Sequence, residues 1–393
     1  MSRGGRWFLG SQGPLLVLLG LWAALAGWLL RLPCRVPGWG AEQALPVLCA
    51  TDLSAGAAAG GFLTGGPGGD EPVLAGMAET ALLRLAVLTG SGPGAVADLS
   101  LVVLALAWTA TVVAVAGLSG RRDAFVLAPA PVVVLAGFAS WDLAAVLLMV
   151  LALLLHGRGS SAPAGACLGL AASVALFPLV VLVAVLFLAA RYRDVRDAVV
   201  VLGGAGLTWL LVNGPALVVD RDGWFRRAAE ATERPADGSS LWDAWARVGA
   251  VPGAPQPPEL LALVLGAAAV LVLTLLSRHE PDAVQVSLLL LLVLVLTGSG
   301  YGTVHALWLA PLVVLGRGGR PEFAAWQLVE VLWWATLVLP EASWPALPGA
   351  SSWDAQDLLA VVRVLFLVWL LVAVVVDVLR GRGGPRLGAA DPA

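Results

Sequence analysis

Two acidic stretches hold the side chains of this chain best suited to chemistry. One is Cys49-Ala50-Thr51-Asp52 and the other is Asp70-Glu71-Pro72, with a glycine-rich run from Gly60 to Gly69 between them. A carboxylate such as Asp52, held at a membrane surface, can take a proton from a hydroxyl as a general base. It equally suits an N-cap, with Thr51-Asp52 opening a turn at Leu53. Asp70 and Glu71 offer a second acidic site or metal ligands. They also suit the start of a helix at Pro72, where negative charge meets the helix dipole.

Other candidates are aromatic or cationic. Trp141-Asp142 pairs an interfacial indole with a helix-start acid. The interval 220–257 carries Trp224, Arg226, Arg227, Arg234, Trp242, Trp245 and Arg247. Arginines with tryptophans suit a phosphate anion or a sugar ring, and equally suit anchoring at a membrane surface. Arg84 offers a further cation. Tyr301 and His305 fall one turn apart on an expected helix, where a lone histidine reads as structural or as a substrate contact. No Walker loop, dinucleotide fingerprint, zinc-ligand spacing or Ser-His-Asp pattern stands out. No cofactor and no nucleic-acid partner is therefore expected, no residue is assigned to a metal, and the need for a divalent metal stays open.

These residues need a scaffold, and composition names it. Of 393 residues, 59% are hydrophobic and 12% charged, where soluble proteins are about a quarter charged. Apolar runs recur from end to end, so the expected fold is an all-α, multi-pass transmembrane helical bundle. The runs are continuous rather than alternating, which excludes a β-barrel. All 23 basic residues are arginine. With heavy Ala, Gly, Val and Leu usage this points to a high-GC, bacterial genome, and it excludes lysine chemistry.

The arginines also set orientation. Arg3 and Arg6 place the N-terminus inside, ahead of a retained signal anchor at 14–31. Crossings are then expected at 96–118, 124–139 and 143–155, and as two short helices within 162–190 that meet near Phe177-Pro178. Further crossings are expected at 198–219, 258–277, 282–298, 303–316, 322–340 and 356–379. That makes about twelve, with both termini cytoplasmic. Segment 72–90 carries Glu79 and Arg84 and is expected to lie at the outer surface rather than to cross. One domain, 1–382, presents outer loops 32–71, 220–257 and 341–355, and 383–393 forms a disordered tail. Asp52, Asp70-Glu71, Trp141-Asp142, Phe177-Pro178 and the stretch from Tyr301 to His305 then share the outer side. Thiols oxidise there. Cys34 and Cys49 form a disulfide, closing about 15 residues and contributing roughly 3 kcal/mol, or they stand as free thiols. Cys167 falls within the membrane and packs.

Taken together, these stretches resemble the bacterial glycosyltransferase family 87 membrane proteins of GT-C type. Members are actinobacterial, polyprenyl-phosphate-mannose-dependent mannosyltransferase-like proteins. Cys34 to Asp52 resembles the family's first outer loop, which usually ends Cys-Tyr-Ser-Asp. Asp70 to Leu74 is similar to its Glu-Tyr-Pro stretch. Ser140-Trp141-Asp142-Leu143-Ala144-Ala145-Val146 is similar to its Trp-Asp-Leu motif. Gly169 to Leu179 resembles its Ala-Thr-Lys-x-Tyr-Pro stretch. Val212 to Pro215 with Gly223 to Phe225 resembles the approach to its second outer loop. Tyr301 to Pro311 is similar to its late Lys-x-Tyr-Ser-Pro-Gln-Tyr region. The family's lysines are replaced, near Ala175 and near Gly300.

The resemblance implies an inverting transferase working on the outer face of the cell membrane. Its partners would be a polyprenyl-phosphate-linked sugar donor, with mannose the expected sugar, a lipid or glycan acceptor, and membrane lipids. Asp52 would be the catalytic base. Asp70, Glu71, Arg84, Trp141, Asp142, Trp224, Arg226, Arg227, Tyr301 and His305 would contact substrate. The missing lysines motivate an alternative, a catalytically silent relative that binds lipid-linked sugar or a partner enzyme. A transporter is disfavoured because charges in the crossing segments read as almost absent.

Overall fold

The structure is a computed structural model that describes residues 13–35, 46–49, 72–91, 94–230, 240, 242, 259–298, 300–317, 321–339 and 355–382. Asp52, Asp70, Glu71 and the tail 383–393 lie outside the described residues, as do most of 32–71, 231–257 and 341–355.

Among the described residues every regular element is a helix. In chain order they are α1 (Gly13–Leu30), a short 3-10 turn (Leu32–Arg35), α2 (Pro46–Cys49), α3 (Val73–Leu88), α4 (Gly94–Ser119), α5 (Arg121–Leu127) and α6 (Pro131–Ala136). There follow α7 (Asp142–Gly157), α8 (Ser161–Ala172), α9 (Leu179–Tyr192), α10 (Val195–Val219), α11 (Arg221–Glu230) and α12 (Glu259–Leu276). The last are α13 (Ala283–Thr297), α14 (Thr303–Arg317), α15 (Pro321–Val338) and α16 (Ala355–Leu379).

By length and apolar composition, five of these can cross a membrane: Gly13–Leu30, Ala95–Ser119, Val195–Val219, Glu259–Leu276 and Gln356–Leu379. Five more, α7, α8, α9, α13 and α14, are apolar but shorter. The break expected at Pro178 is present, between α8 and α9. The run expected to cross at 124–139 is not one continuous helix. Pro129 and Pro131 divide it into α5 and α6, and Ala130 between them is extended (φ −55°, ψ 121°). A proline pushes its predecessor out of the helical region and removes a backbone donor, so one continuous helix cannot form there.

Burial sorts the helices. In α13 nearly every residue from Ala283 to Leu296 is buried, and α14 is buried from Leu309 through Gly316. A helix apolar on all sides belongs inside a bundle, and α13 packs against α9, α12, α14 and α16. By contrast α10 and α12 present mostly exposed leucine and valine, among them Leu207, Leu211, Leu260 and Leu265. Those faces suit contact with lipid. One seam is unusually close. Gly165 and Gly169 of α8 lie against the Val201 and Ala205 carbonyls of α10, and a Cβ at either glycine would collide with that backbone. Small residues spaced by four let two apolar helices approach this closely.

Side-chain contacts sort the helix ends into two groups. At one end, Gly117 near the close of α4 faces Arg158 and Leu154. His156 bonds Asp197 at 3.0 Å, Arg191 donates to the Ser277 and His279 carbonyls, and Arg317 pairs with Asp377 at 2.6 Å. At the other end, Arg31 donates to the Leu135 carbonyl at 2.8 Å, and Glu79 accepts from Trp141. Phe177 stacks on Trp308 there, and Trp242 donates to the Thr297 carbonyl at 2.9 Å. This second end holds the starts of α7, α9 and α14 and the finishes of α1, α6, α8, α10, α13 and α15. Helix α3 also begins there, with the Leu74 amide on the Ser173 carbonyl at 3.0 Å. Because α4 finishes at the first end, it starts at the second, only a few residues after α3. Helix α3 therefore stays at that end and does not traverse the bundle.

The expectation that charge is almost absent from the crossing stretches is corrected. Glu330 of α15 and Arg363 of α16 are completely buried, and Asp377 of α16 is buried as well. Each is paired, which is how ionised groups persist in an apolar interior.

Candidate active site at one end of the bundle

The start of α7 is the centre of the second end. Asp142 is the first residue of that helix, where its charge meets the positive end of the dipole. The Ser140 hydroxyl donates to one of its oxygens, and the Trp308 indole donates to the other at 3.1 Å. Trp141 turns the opposite way and donates its indole N–H to Glu79 at 3.0 Å. Glu79 is 2% exposed and Trp141 6%. Two adjacent residues thus tie α7 to α14 on one side and to α3 on the other.

Trp308 joins the cluster to two further elements. Its ring stacks on Phe177 at 4.3 Å and meets His305 edge to face at 4.4 Å. The Phe177-Pro178 break between α8 and α9 therefore places an aromatic face over the acid-bearing start of α7. Such offset aromatic pairs contribute about 1 kcal/mol beyond their area. His305 Nδ1 accepts from the Gly302 amide at 2.9 Å. Tyr301 is not on the same helix, because α14 begins at Thr303. It sits in the connection before that helix, its ring centroid 6.4 Å from that of His305.

Tyr301 is held at both ends. Its hydroxyl donates to Glu330 at 2.8 Å and accepts from the Trp326 indole at 3.2 Å. Its carbonyl accepts from Arg363 at 2.7 Å. Arg363 also grips Glu330 through Nε and Nη2, and its guanidinium lies 4.1 Å from the Tyr301 ring centroid and 4.7 Å from that of Trp333. Burial and the neighbouring Glu330 hold the Tyr301 phenol well above its ordinary range, so it remains a donor.

A second branch runs through α10. Asn213 donates to the Ser173 hydroxyl at 2.9 Å and accepts from the Trp224 indole at 3.3 Å. Trp224, on α11, also meets Trp209 and Phe225 edge to face. The residues that follow α1 lie at this end as well. Cys34 and Cys49 are joined as the expected disulfide, packed with Leu48 against Leu30, Trp334 and Val338. Arg31, just before the bridge, is 3% exposed and fixes the end of α1 to α6 through the Val134 and Leu135 carbonyls.

Of the expected site residues, Trp141, Asp142, Tyr301 and His305 are brought together, and Trp224 lies on the neighbouring branch. Arg84 is exposed on α3 and makes no hydrogen bond or ion pair to that group among the described residues. Five residues beyond Glu79 on a helix, it points well away from the Glu79 face. The side chains of Arg226 and Arg227, like Asp52, Asp70 and Glu71, fall outside what is described. Glu79, Trp308, Glu330, Arg363 and Trp326 were not singled out by sequence. The readable signal was a charge or an indole in the middle of an apolar run. Among the described residues no group of three or more His, Cys, Asp or Glu could hold a metal ion.

Sequence comparison finds that the family described as glycosyltransferase family 87 matches residues 78–299, more than half of the chain. The chain belongs to glycosyltransferase family 87. It is thus a membrane protein of a glycosyltransferase family. The matched region contains Glu79, Trp141, Asp142, Phe177, Asn213 and Trp224, and it ends just before Tyr301. No curated protein and no solved structure matches the chain.

Proposed function

We propose that this glycosyltransferase moves mannose from a polyprenyl phosphate to a lipid or glycan acceptor at the outer face of the cell membrane. The observation that carries the reading is the gathering of Asp142, Glu79 and their tryptophans at the end of the bundle from which loop 32–71 departs, within and beside the family match. The arginine pattern supports reading that end as the outer one.

The Asp52 carboxylate takes the proton of the acceptor hydroxyl. The acceptor oxygen bonds to the anomeric carbon as the bond from that carbon to the phosphate oxygen breaks, with inversion. The polyprenyl phosphate leaves with the electron pair. A lipid phosphate is a competent leaving group, so the reaction needs no nucleotide site. Trp224 and Trp308 provide flat apolar faces for the sugar ring, buried Trp141 positions the start of α7 through Glu79, and Asp142 and His305 provide partners for its hydroxyls. Arg226 and Arg227 of α11 are the cations proposed for the phosphate, with Asp70, Glu71 and Arg84 at the rim. The Asp52 assignment rests on the resemblance of the Cys49-to-Asp52 stretch, since the family match begins at residue 78.

Purified protein in liposomes, given polyprenyl-phosphate-mannose and candidate acceptors, tests the proposal. Transfer by the wild type and its loss by roughly 100-fold or more in Asp52→Asn is expected. Equal rates in the two would remove Asp52 from the mechanism.

A further inference from the structure

The pair Glu330–Arg363 is completely buried, and it joins α15 to α16. A buried pair of this kind is poor stabilisation, because desolvation consumes most of the attraction; well-packed apolar residues usually do as well. Its hydrogen bonds indicate another use. Arg363 spends Nε and Nη2 on Glu330 and aims Nη1 at the Tyr301 carbonyl, 2.7 Å away. Glu330 accepts the Tyr301 hydroxyl at 2.8 Å. One residue is thus clamped by its main chain and by the tip of its side chain. That residue immediately precedes Gly302, whose amide donates to His305 Nδ1 at 2.9 Å.

The consequence is chemical. With Nδ1 committed as an acceptor, a neutral His305 carries its proton on Nε2. His305 packs edge to face on Trp308, which holds Asp142. We infer that Glu330 and Arg363 are positioning residues: they fix the 300–302 connection so that His305 presents Nε2–H, a hydrogen-bond donor, to an oxygen of the sugar or of its leaving phosphate. The role assigned to that donor rests on the transferase reading; the control of the tautomer does not.

The protein has three histidines, His156, His279 and His305, so their imidazole nitrogens can be followed by 15N NMR in nanodiscs. The measurement belongs at about pH 8.5, above the ordinary histidine range. His156 and His279 lie at the opposite end of the bundle and report whether the fold persists. Wild type is expected to show His305 as a single Nε2–H tautomer. The decisive variant is the double replacement Glu330→Leu with Arg363→Met, which removes both charges together and so leaves neither buried alone. It is expected to keep the His156 and His279 signals, to turn the His305 signal into a mixture of tautomers, and to lower kcat for transfer roughly 10- to 100-fold with a smaller change in KM.

A double variant with the wild-type His305 signal overturns the inference: the pair would be core packing only. An altered tautomer with undiminished transfer overturns the role given to Nε2–H. If the double variant loses the His156 and His279 signals, the single change Tyr301→Phe replaces it. This removes the hydroxyl with its bonds to Glu330 and from the Trp326 indole and leaves the Glu330–Arg363 pair in place, and an unchanged His305 signal there counts against the clamp. Absence of transfer by the wild type defeats the transferase reading alone, and the NMR comparison still decides the positioning.

Discussion

The Trp308 indole N–H donates to the Asp142 carboxylate at 3.1 Å, across 166 residues of chain. This bond fixes the start of α14 to the start of α7. It also leaves the Trp308 ring stacked on Phe177. Trp308→Phe keeps a ring in that stack and removes the donor. The variant is expected to lose about 1.5–3 kcal/mol of stability, the worth of a hydrogen bond to a charged group, and to transfer sugar more slowly. Thermal unfolding in detergent beside the transfer assay checks both. Unchanged values in each would mean that the bond positions nothing.

Breaking the Glu330–Arg363 pair one side at a time has a large expected cost. Arg363→Met or Glu330→Leu alone strands a charge that is fully buried, which costs about 3–5 kcal/mol. The double replacement is expected to recover most of that loss. Unfolding midpoints of the three variants measure it. Single variants as stable as the wild type would show that the interior is wetter than this packing implies.

Three cysteines give the first loop a direct chemical test. Cys34 and Cys49 are bonded, and Cys167 is a free, half-buried thiol on α8. Alkylation of the denatured, non-reduced protein should label one thiol, and prior reduction should expose three. Removing the bridge by Cys34→Ser with Cys49→Ser is expected to cost about 3 kcal/mol for a loop of this length. Three labelled thiols without reductant would contradict the disulfide.

The α8–α10 seam admits no side chain at Gly169, which would meet the Ala205 carbonyl. Gly169→Val should force the helices apart and cost roughly 1–3 kcal/mol. The Asn213–Ser173 bond lies one turn further along the same seam. Transfer should therefore fall along with the unfolding midpoint. An unaffected midpoint would mean that the seam is looser than described.

Much of the bundle is readable in the sequence because lipid imposes simple rules. Apolar runs mark helices, arginines mark their ends, and the proline at 178 marks the break between α8 and α9. The same rules did not show that Pro129 and Pro131 divide the apolar run at 124–139 into two helices. At the site, Trp141-Asp142 was legible because an indole and an acid open a helix together. Glu330 and Arg363 were not, because each is a single charge inside a long apolar run, and their partner Tyr301 is 29 and 62 residues away. A pairing between helices leaves no local pattern. Nor did the sequence show that Arg84 faces away while Glu79, on the same helix, faces in.

The most direct test of the central claim is the choice of donor. Purified wild-type protein in liposomes is given radiolabelled mannose either on a polyprenyl phosphate or on a nucleoside diphosphate, with the same acceptors present. Transfer from the lipid phosphate and none from the nucleotide is the predicted result. Transfer from the nucleotide sugar, or from neither donor, would contradict it.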